Sequence, residues 1–210
     1  MKKLFTKLAL TGAMLGLGLS TAQADPLKVG FVYLTNPGDH GWTYAHEVGR
    51  QELQAHFGDK VETSYVENVP EGPDATRVIR ELAKQGNEII FTTSFGYMEP
   101  TLKVAKEFPN TRFSIIDMVV DLPNVQSIIF KEHEGSFLVG VLAALKSETG
   151  KVGFVGGMDI PLIHKFACGY VQGVKYINSN TTVFQKMTGT TPAAWSDPAR
   201  GAELVKTMFD

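Results

Sequence analysis

The feature that most constrains this chain is a repeated switch between two hydrophobic periods. Short apolar, β-rich runs occupy 27–34 (LKVGFVYL), 61–66, 88–92, 112–116, 125–130, 151–156 and 182–187. Most of them are separated by segments with apolar residues at helical spacing: 42–57, 74–85, 100–108, 134–145, 161–178 and 197–209. In 74–85, Val78, Ile79 and Leu82 fall on one helical face, and Asp74 is placed to cap the first turn. Prolines sit in the first turns at 100 and 161, where a missing N–H is harmless, and Asp197 is placed to cap the last helix. Strands that alternate with helices fold as parallel sheets covered by helices on both faces, so the fold class is α/β with parallel-sheet lobes.

Such sheets bind ligands just outside the carboxyl ends of their strands. That directs attention to the loops 35–42, 93–99, 117–123 and 156–161. A break near Phe130-Lys131 divides the chain into an N-terminal lobe, 25–130, and a C-terminal lobe, 131–210. The second block has only two strands, too few to bury both faces of a sheet, so a truncated second lobe is expected.

Residues 1–24 read as a cleaved secretory signal. Lys2, Lys3 and Lys7 precede a 12-residue apolar run at 8–19, which is short for a bilayer span, and Ala22-Gln23-Ala24 supplies the small-x-small cleavage pattern. With no cysteine near that point, lipid attachment there is not expected, and the mature protein is placed in the periplasm. Removing the segment takes away three lysines and no acids, moving the formal net charge from −2 to −5. With no basic stripe either, there is no electrostatic ground for a nucleic-acid partner. The single cysteine, Cys168, cannot form an internal disulfide or a CxxC site. Its apolar helical neighbours place it in the core as an inert thiol.

The loop Asn36-Pro37-Gly38-Asp39-His40-Gly41-Trp42 leads from the first strand into a helix. Gly38 and Gly41 allow close backbone approach, Asp39 can accept hydrogen bonds from a ligand, and Trp42 offers a face to a planar ring. The same residues would also make a helix cap beside a core tryptophan. Thr93-Ser94-Phe95-Gly96-Tyr97 mixes hydroxyls, aromatics and a glycine, as in a pocket wall or a turn over buried rings. Asp117 ends an apolar strand, where it either faces the crevice or caps the next turn. Lys131-Glu132-His133-Glu134 reads as a charged helix start, because adjacent helical residues point apart and rarely converge on one ion. His40, His46, His56 and His164 form no HExxH or HxH set, and no GxSxG, Walker or GxGxxG pattern occurs. Neither a catalytic set nor a metal set is legible and no cofactor is expected. An exported binder is therefore favoured over an exported α/β enzyme or a ligand sensor.

Four stretches together carry a resemblance: Gly38-Asp39-His40-Gly41-Trp42, Phe130-Lys131-Glu132-His133-Glu134-Gly135-Ser136-Phe137-Leu138, Val155-Gly156-Gly157-Met158-Asp159-Ile160-Pro161 and Trp195-Ser196-Asp197-Pro198. From about Leu27 to Asp210 the chain resembles the basic membrane protein family, also called the purine nucleoside receptor family, the substrate-binding components of ABC importers. The resemblance implies a type I periplasmic-binding-protein fold, two α/β lobes closing on a ligand. It implies a purine nucleobase or nucleoside as ligand, an ABC transporter permease in the membrane as partner, and a monomer. By position, Trp42 matches the stacking aromatic, Asp39 the polar residue three before it, and Asp117 a strand-end carboxylate. Phe95, Gly96 and Tyr97 match a pocket-facing loop. Many members have Asp-Lys-Ser-Phe-Asn where this chain has Asp39-His40-Gly41-Trp42-Thr43, so the stacking face is kept and an asparagine is lost. Complete members also continue well beyond position 210.

Overall fold

The computed structural model describes residues 24–209. The secretory segment read from 1–24 therefore lies, apart from Ala24, outside the described residues.

Five strands, β1 (Leu27–Val32), β2 (Val61–Val66), β3 (Ile89–Thr92), β4 (Arg112–Ile116) and β5 (Val125–Ile128), form one sheet in the order β2-β1-β3-β4-β5. Every neighbouring pair is parallel. Helices α2 (Pro73–Lys84) and α3 (Met98–Glu107) cover one face, where Val32, Ile79, Leu82, Ile90, Val104, Phe113 and Ile115 form the main core. At its edge Asn124 donates to the carbonyls of Ala105, Phe108 and Thr111 at 3.0–3.1 Å, joining the end of α3 to β4 and β5.

The other face, with Val29, Phe31 and Tyr33 at its centre, carries α1 (Trp42–Phe57). The helix forms over the span the periodicity predicts, but the residues it buries are Thr43 and Glu47. Tyr33 Oη donates to Glu47 Oε2 at 3.0 Å, and Arg50 grips the same carboxylate from Nε (2.8 Å) and Nη2 (2.6 Å). The Arg50 guanidinium holds the Glu47 carboxyl below its ordinary range.

The second block consists of α4 (Glu132–Lys146), β6 (Lys151–Met158), α5 (Pro161–Ile177), β7 (Thr182–Gly189) and α6 (Pro198–Phe209), with β6 and β7 parallel. Helices α4 and α5 approach through glycines. A Cβ at Gly140 would lie 2.1 Å from the Tyr170 carbonyl oxygen, and one at Gly173 would lie 2.0 Å from that of Phe137.

Three local expectations are corrected. Gly72, not Asp74, is the N-cap of α2, because Pro73 already opens the helix, and Asp74 pairs loosely with Arg77 at 3.6 Å. Cys168 is exposed, because the buried stripe of α5 runs through Ile163, Ala167, Tyr170 and Val174 and leaves position 168 outside it. Strand β5 ends at Ile128, two residues before the predicted end. Asp197 does cap α6, its Oδ1 accepting from the Arg200 N–H at 2.9 Å.

The glycine contacts separate two substitutions of the same chemistry. Gly173→Ala should cost about 1–3 kcal/mol by overpacking against a backbone carbonyl. Gly49→Ala lies in the middle of α1, where an added Cβ would meet nothing within 4 Å. It should gain about 0.5–1 kcal/mol from helix propensity. Urea unfolding of the two variants measures both signs.

Candidate functional site

The strand order reverses between β1 and β3, and there the connecting loops leave the sheet on opposite faces and open a crevice. A cleft of about 290 Å³ fills it. The first sheet contributes Leu34 and Thr35 after β1, Trp42 and Thr43 at the start of α1, Ser94 and Phe95 after β3, and Asp117 after β4. The second block supplies Leu162, Ile163 and Phe166 from the first turns of α5, and Trp195 from the short 3-10 turn Pro192–Ser196.

Trp42 enters α1 from Gly41, whose φ of 90° a side chain would strain. Its Nε1–H donates to the Thr93 carbonyl at 2.7 Å, and its ring meets His46 and Phe130 edge-on at 4.9 and 6.0 Å. With these contacts made, 42% of the residue is still exposed. Opposite it, Phe95 and Trp195 approach edge-to-face at 6.2 Å. Trp195 lies against Gly157, where a Cβ would fall 2.4 Å from its ring. Thr188 Oγ1 lies between the carbonyls of Gly157 (2.7 Å) and Ala194 (2.8 Å), and its one proton, shared between them, ties the 3-10 turn to β6. The cleft thus has aromatic walls, a few hydroxyls and one carboxyl, which suits binding of a planar solute.

Over residues 27–210 the chain matches the model of the family described as ABC transporter substrate-binding protein PnrA-like. It belongs to that family. It is similar to a purine-binding protein of Brucella abortus, 40% identical over 199 residues, which cover 95% of this chain and 55% of that one. It is also similar to a putative ABC transporter glucose-binding protein of Haloferax volcanii, 26% identical over 193 residues covering 92% and 48% of the two chains. Among solved structures, an ABC transporter solute-binding protein from Aeropyrum pernix superposes with a TM-score of 0.71 at 25% identity, over 87% of this chain and 53% of that one. The chain spans about half the length of the relatives it matches. The family and these relatives are solute-binding proteins, not enzymes.

Of the residues singled out in the sequence, Trp42, Phe95 and Asp117 line the cleft. Asp39 does not: its side chain is 91% exposed and pairs with His40. Tyr97 is fully buried in the core and donates to the Val69 carbonyl at 2.6 Å. Gly96 backs onto the Glu71 carboxylate, behind the cleft wall. The residues from α5 and Trp195 were not singled out. Their signals were Pro161 opening a helix just after a strand, and the Trp195-Ser196-Asp197-Pro198 stretch that carried the family resemblance.

Asp117 sits at φ 60°, a left-handed conformation that aspartate tolerates, with its N–H donating to the Ile128 carbonyl at 2.8 Å. Beside it is Glu132, whose side chain is only 5% exposed. The charged helix start read from Lys131-Glu132-His133-Glu134 therefore turns one carboxyl inward. Lys165 from α5 donates to the Phe130 carbonyl at 2.6 Å and forms an ion pair with Glu132. Burial, then hydrogen bonding and charge repulsion from Glu132, push the Asp117 carboxyl up to about 7. Burial raises Glu132 as well, but the Lys165 ammonium and the hydrogen bonds around it outweigh burial and hold that carboxyl low. The pair therefore keeps one proton until near neutrality. Among the described residues no cluster of His, Cys, Asp and Glu could hold a metal, and no helix is long and apolar enough to cross a membrane.

A pH dependence follows. Folded Asp117 holds its proton more tightly than the unfolded chain, whose ordinary value is 3.8. The stability gained from that proton is fully present below about 4 and is lost as the pH rises through about 7. The Tm of wild type minus that of Asp117→Asn should therefore fall across this window, since asparagine accepts the same φ and does not titrate. A difference that stays flat from pH 4 to 7.5 would contradict the assignment.

Proposed function

We propose that the protein is the exported solute receptor of an ABC importer, taking a purine nucleobase or nucleoside into this cleft in the periplasm and passing it to a membrane permease. The observation that carries the reading is the set of aromatic planes, Trp42 and Phe95 from one block and Phe166 and Trp195 from the other, around a single carboxyl, Asp117. A heterocycle can stack on such walls, and its polar edge can meet the carboxyl. The similarity to a purine-binding protein supports the same ligand class. On this reading the segments 25–130 and 131–210 are lobes that close on the ligand and exclude water. The site performs no chemistry, and the affinity comes from stacking, a few hydrogen bonds and closure.

A sugar is the competing ligand, given the similarity to a putative glucose-binding protein. A hexose needs many hydrogen-bonding groups around its rim, and this cleft offers few, so the aromatic lining favours the heterocycle.

Isothermal calorimetry with adenine, adenosine and glucose separates the two. Saturable heat with a purine, weakened by about 1–3 kcal/mol in Trp42→Ala, is the expected result, that loss being the size of one stacking contact. Heat with glucose and none with any purine would reverse the assignment.

A further inference from the structure

The loop after β3 is fastened from behind by the loop that joins β2 to α2. Ser94 Oγ donates to Glu71 Oε1 at 2.7 Å, and Tyr97 Oη donates to the Val69 carbonyl at 2.6 Å. Gly96 makes room for the first of these bonds: a Cβ there would lie 2.0 Å from Glu71 Cδ and 2.2 and 2.4 Å from its two oxygens. From the front, Trp42 Nε1–H donates to the carbonyl of the adjacent Thr93. Ser94 and Phe95 line the cleft, whereas Glu71 stands behind them.

The fastening fixes a proton. A serine hydroxyl has one proton to donate and two lone pairs, and Ser94 gives that proton to Glu71. What it can offer a ligand is a lone pair. Asp117 lines the same cleft, but its Oδ1 is buried and turned away from solvent. Thr35 and Thr43 bond to each other at 2.8 Å, which leaves one spare proton at the α1 end. On the Ser94 side the cleft thus presents an acceptor.

We infer that Glu71 is a specificity-setting positioning residue: by taking the Ser94 proton it makes this side of the cleft an acceptor, which selects planar heterocycles bearing an amino group. The inference rests on the reading that the cleft takes a planar ring. A ring that turns an acceptor or a bare C–H to Ser94 leaves a buried lone pair unmatched, and such mismatches discriminate more sharply than stacking does.

The test compares adenine with unsubstituted purine, the same ring without the amine, by calorimetry on wild type, Ser94→Ala and Glu71→Gln. The glutamine keeps the size of Glu71, but its amide can donate to Ser94 and free the hydroxyl proton. Wild type should favour adenine by up to about tenfold, the upper scale of one ordinary hydrogen bond. In both variants the ratio should fall to about threefold or less. A residue that merely braced the loop would weaken both ligands equally, and an unchanged ratio overturns the inference. A second measurement needs no ligand. In Gly96→Ala, and in Glu71→Ala, the Trp42 indole N–H resonance should shift as the Thr93 carbonyl moves, and a resonance unmoved in both variants overturns the link between Glu71 and the loop. If wild type binds neither ring, the planar-ring reading and the selection built on it fall together, and the indole resonance still decides whether Glu71 holds the loop.

Discussion

The site depends first on the order in which the strands are laid down. Parallel neighbours are joined by right-handed crossovers, so the chain reaches the two neighbours of β1 from opposite faces of the sheet. With the order β2-β1-β3-β4-β5, the loops after β1 and β3 must diverge. A crevice at their carboxyl ends follows from the topology before any side chain is chosen. Trp42, Ser94, Phe95 and Asp117 lie far apart in sequence and arrive together because each follows a strand that ends on that rim. The start of α5 and the turn bearing Trp195 then face the crevice from the second block.

Within the crevice the apolar and polar groups do different work. On the proposed reading, stacking on Trp42, or between the aromatic walls, would reward any flat ring almost equally, because every such ring has a π-face. Discrimination must come from the few polar atoms, above all those left unmatched when the wrong edge is presented. Asp117 is suited to that because burial and Glu132 already place its carboxyl at the point of titration. Ligand contacts and solution pH would then act on one proton at the junction of the two blocks, favoured by burial and Glu132 and opposed by the Lys165 ammonium.

Much of this was legible in the sequence where the signal was periodic. The helix Trp42–Phe57 and the strands Val61–Val66 and Arg112–Ile116 have the predicted bounds, and the crevice loops follow from strand ends. What was not legible depends on tertiary direction. Asp39 and Trp42 share a loop, but only the tryptophan turns inward, since Asp39 has a local partner in His40. Phe95 and Tyr97 are two residues apart, yet the 3-10 turn Phe95–Tyr97 sends one to the cleft and the other to the core. Glu132 looked like one charge among several at a helix start, and its burial depends on α5, more than thirty residues away. Cys168 was misplaced because apolar neighbours in sequence do not say which side of a helix faces inward.

The Trp42 indole is held by polar contacts, its own and those of the helix it opens, and that choice has a physical consequence. An apolar stripe fixes a helix to a sheet but leaves its rotation about its own axis weakly determined, because hydrophobic contacts are non-directional. Helix α1 instead buries Thr43 and Glu47, and the carboxylate of Glu47 is gripped by the two-pronged guanidinium of Arg50 and by the phenol of Tyr33. The Arg50 fork lies within α1 and orients the carboxylate; the directional bonds that cross to the sheet, Tyr33 Oη to Glu47 Oε2 at 3.0 Å and Arg50 Nη1 to Thr63 Oγ1 at 2.7 Å, are what limit the helix's rotation. At the start of the same helix, one turn from Glu47, Trp42 is fixed again by its own N–H to Thr93. A polar buried face costs more to desolvate than an apolar one, and in exchange it sets the angle of the indole that a bound ring would meet. The side chains that look least suited to a core are therefore the ones that make the aromatic wall rigid.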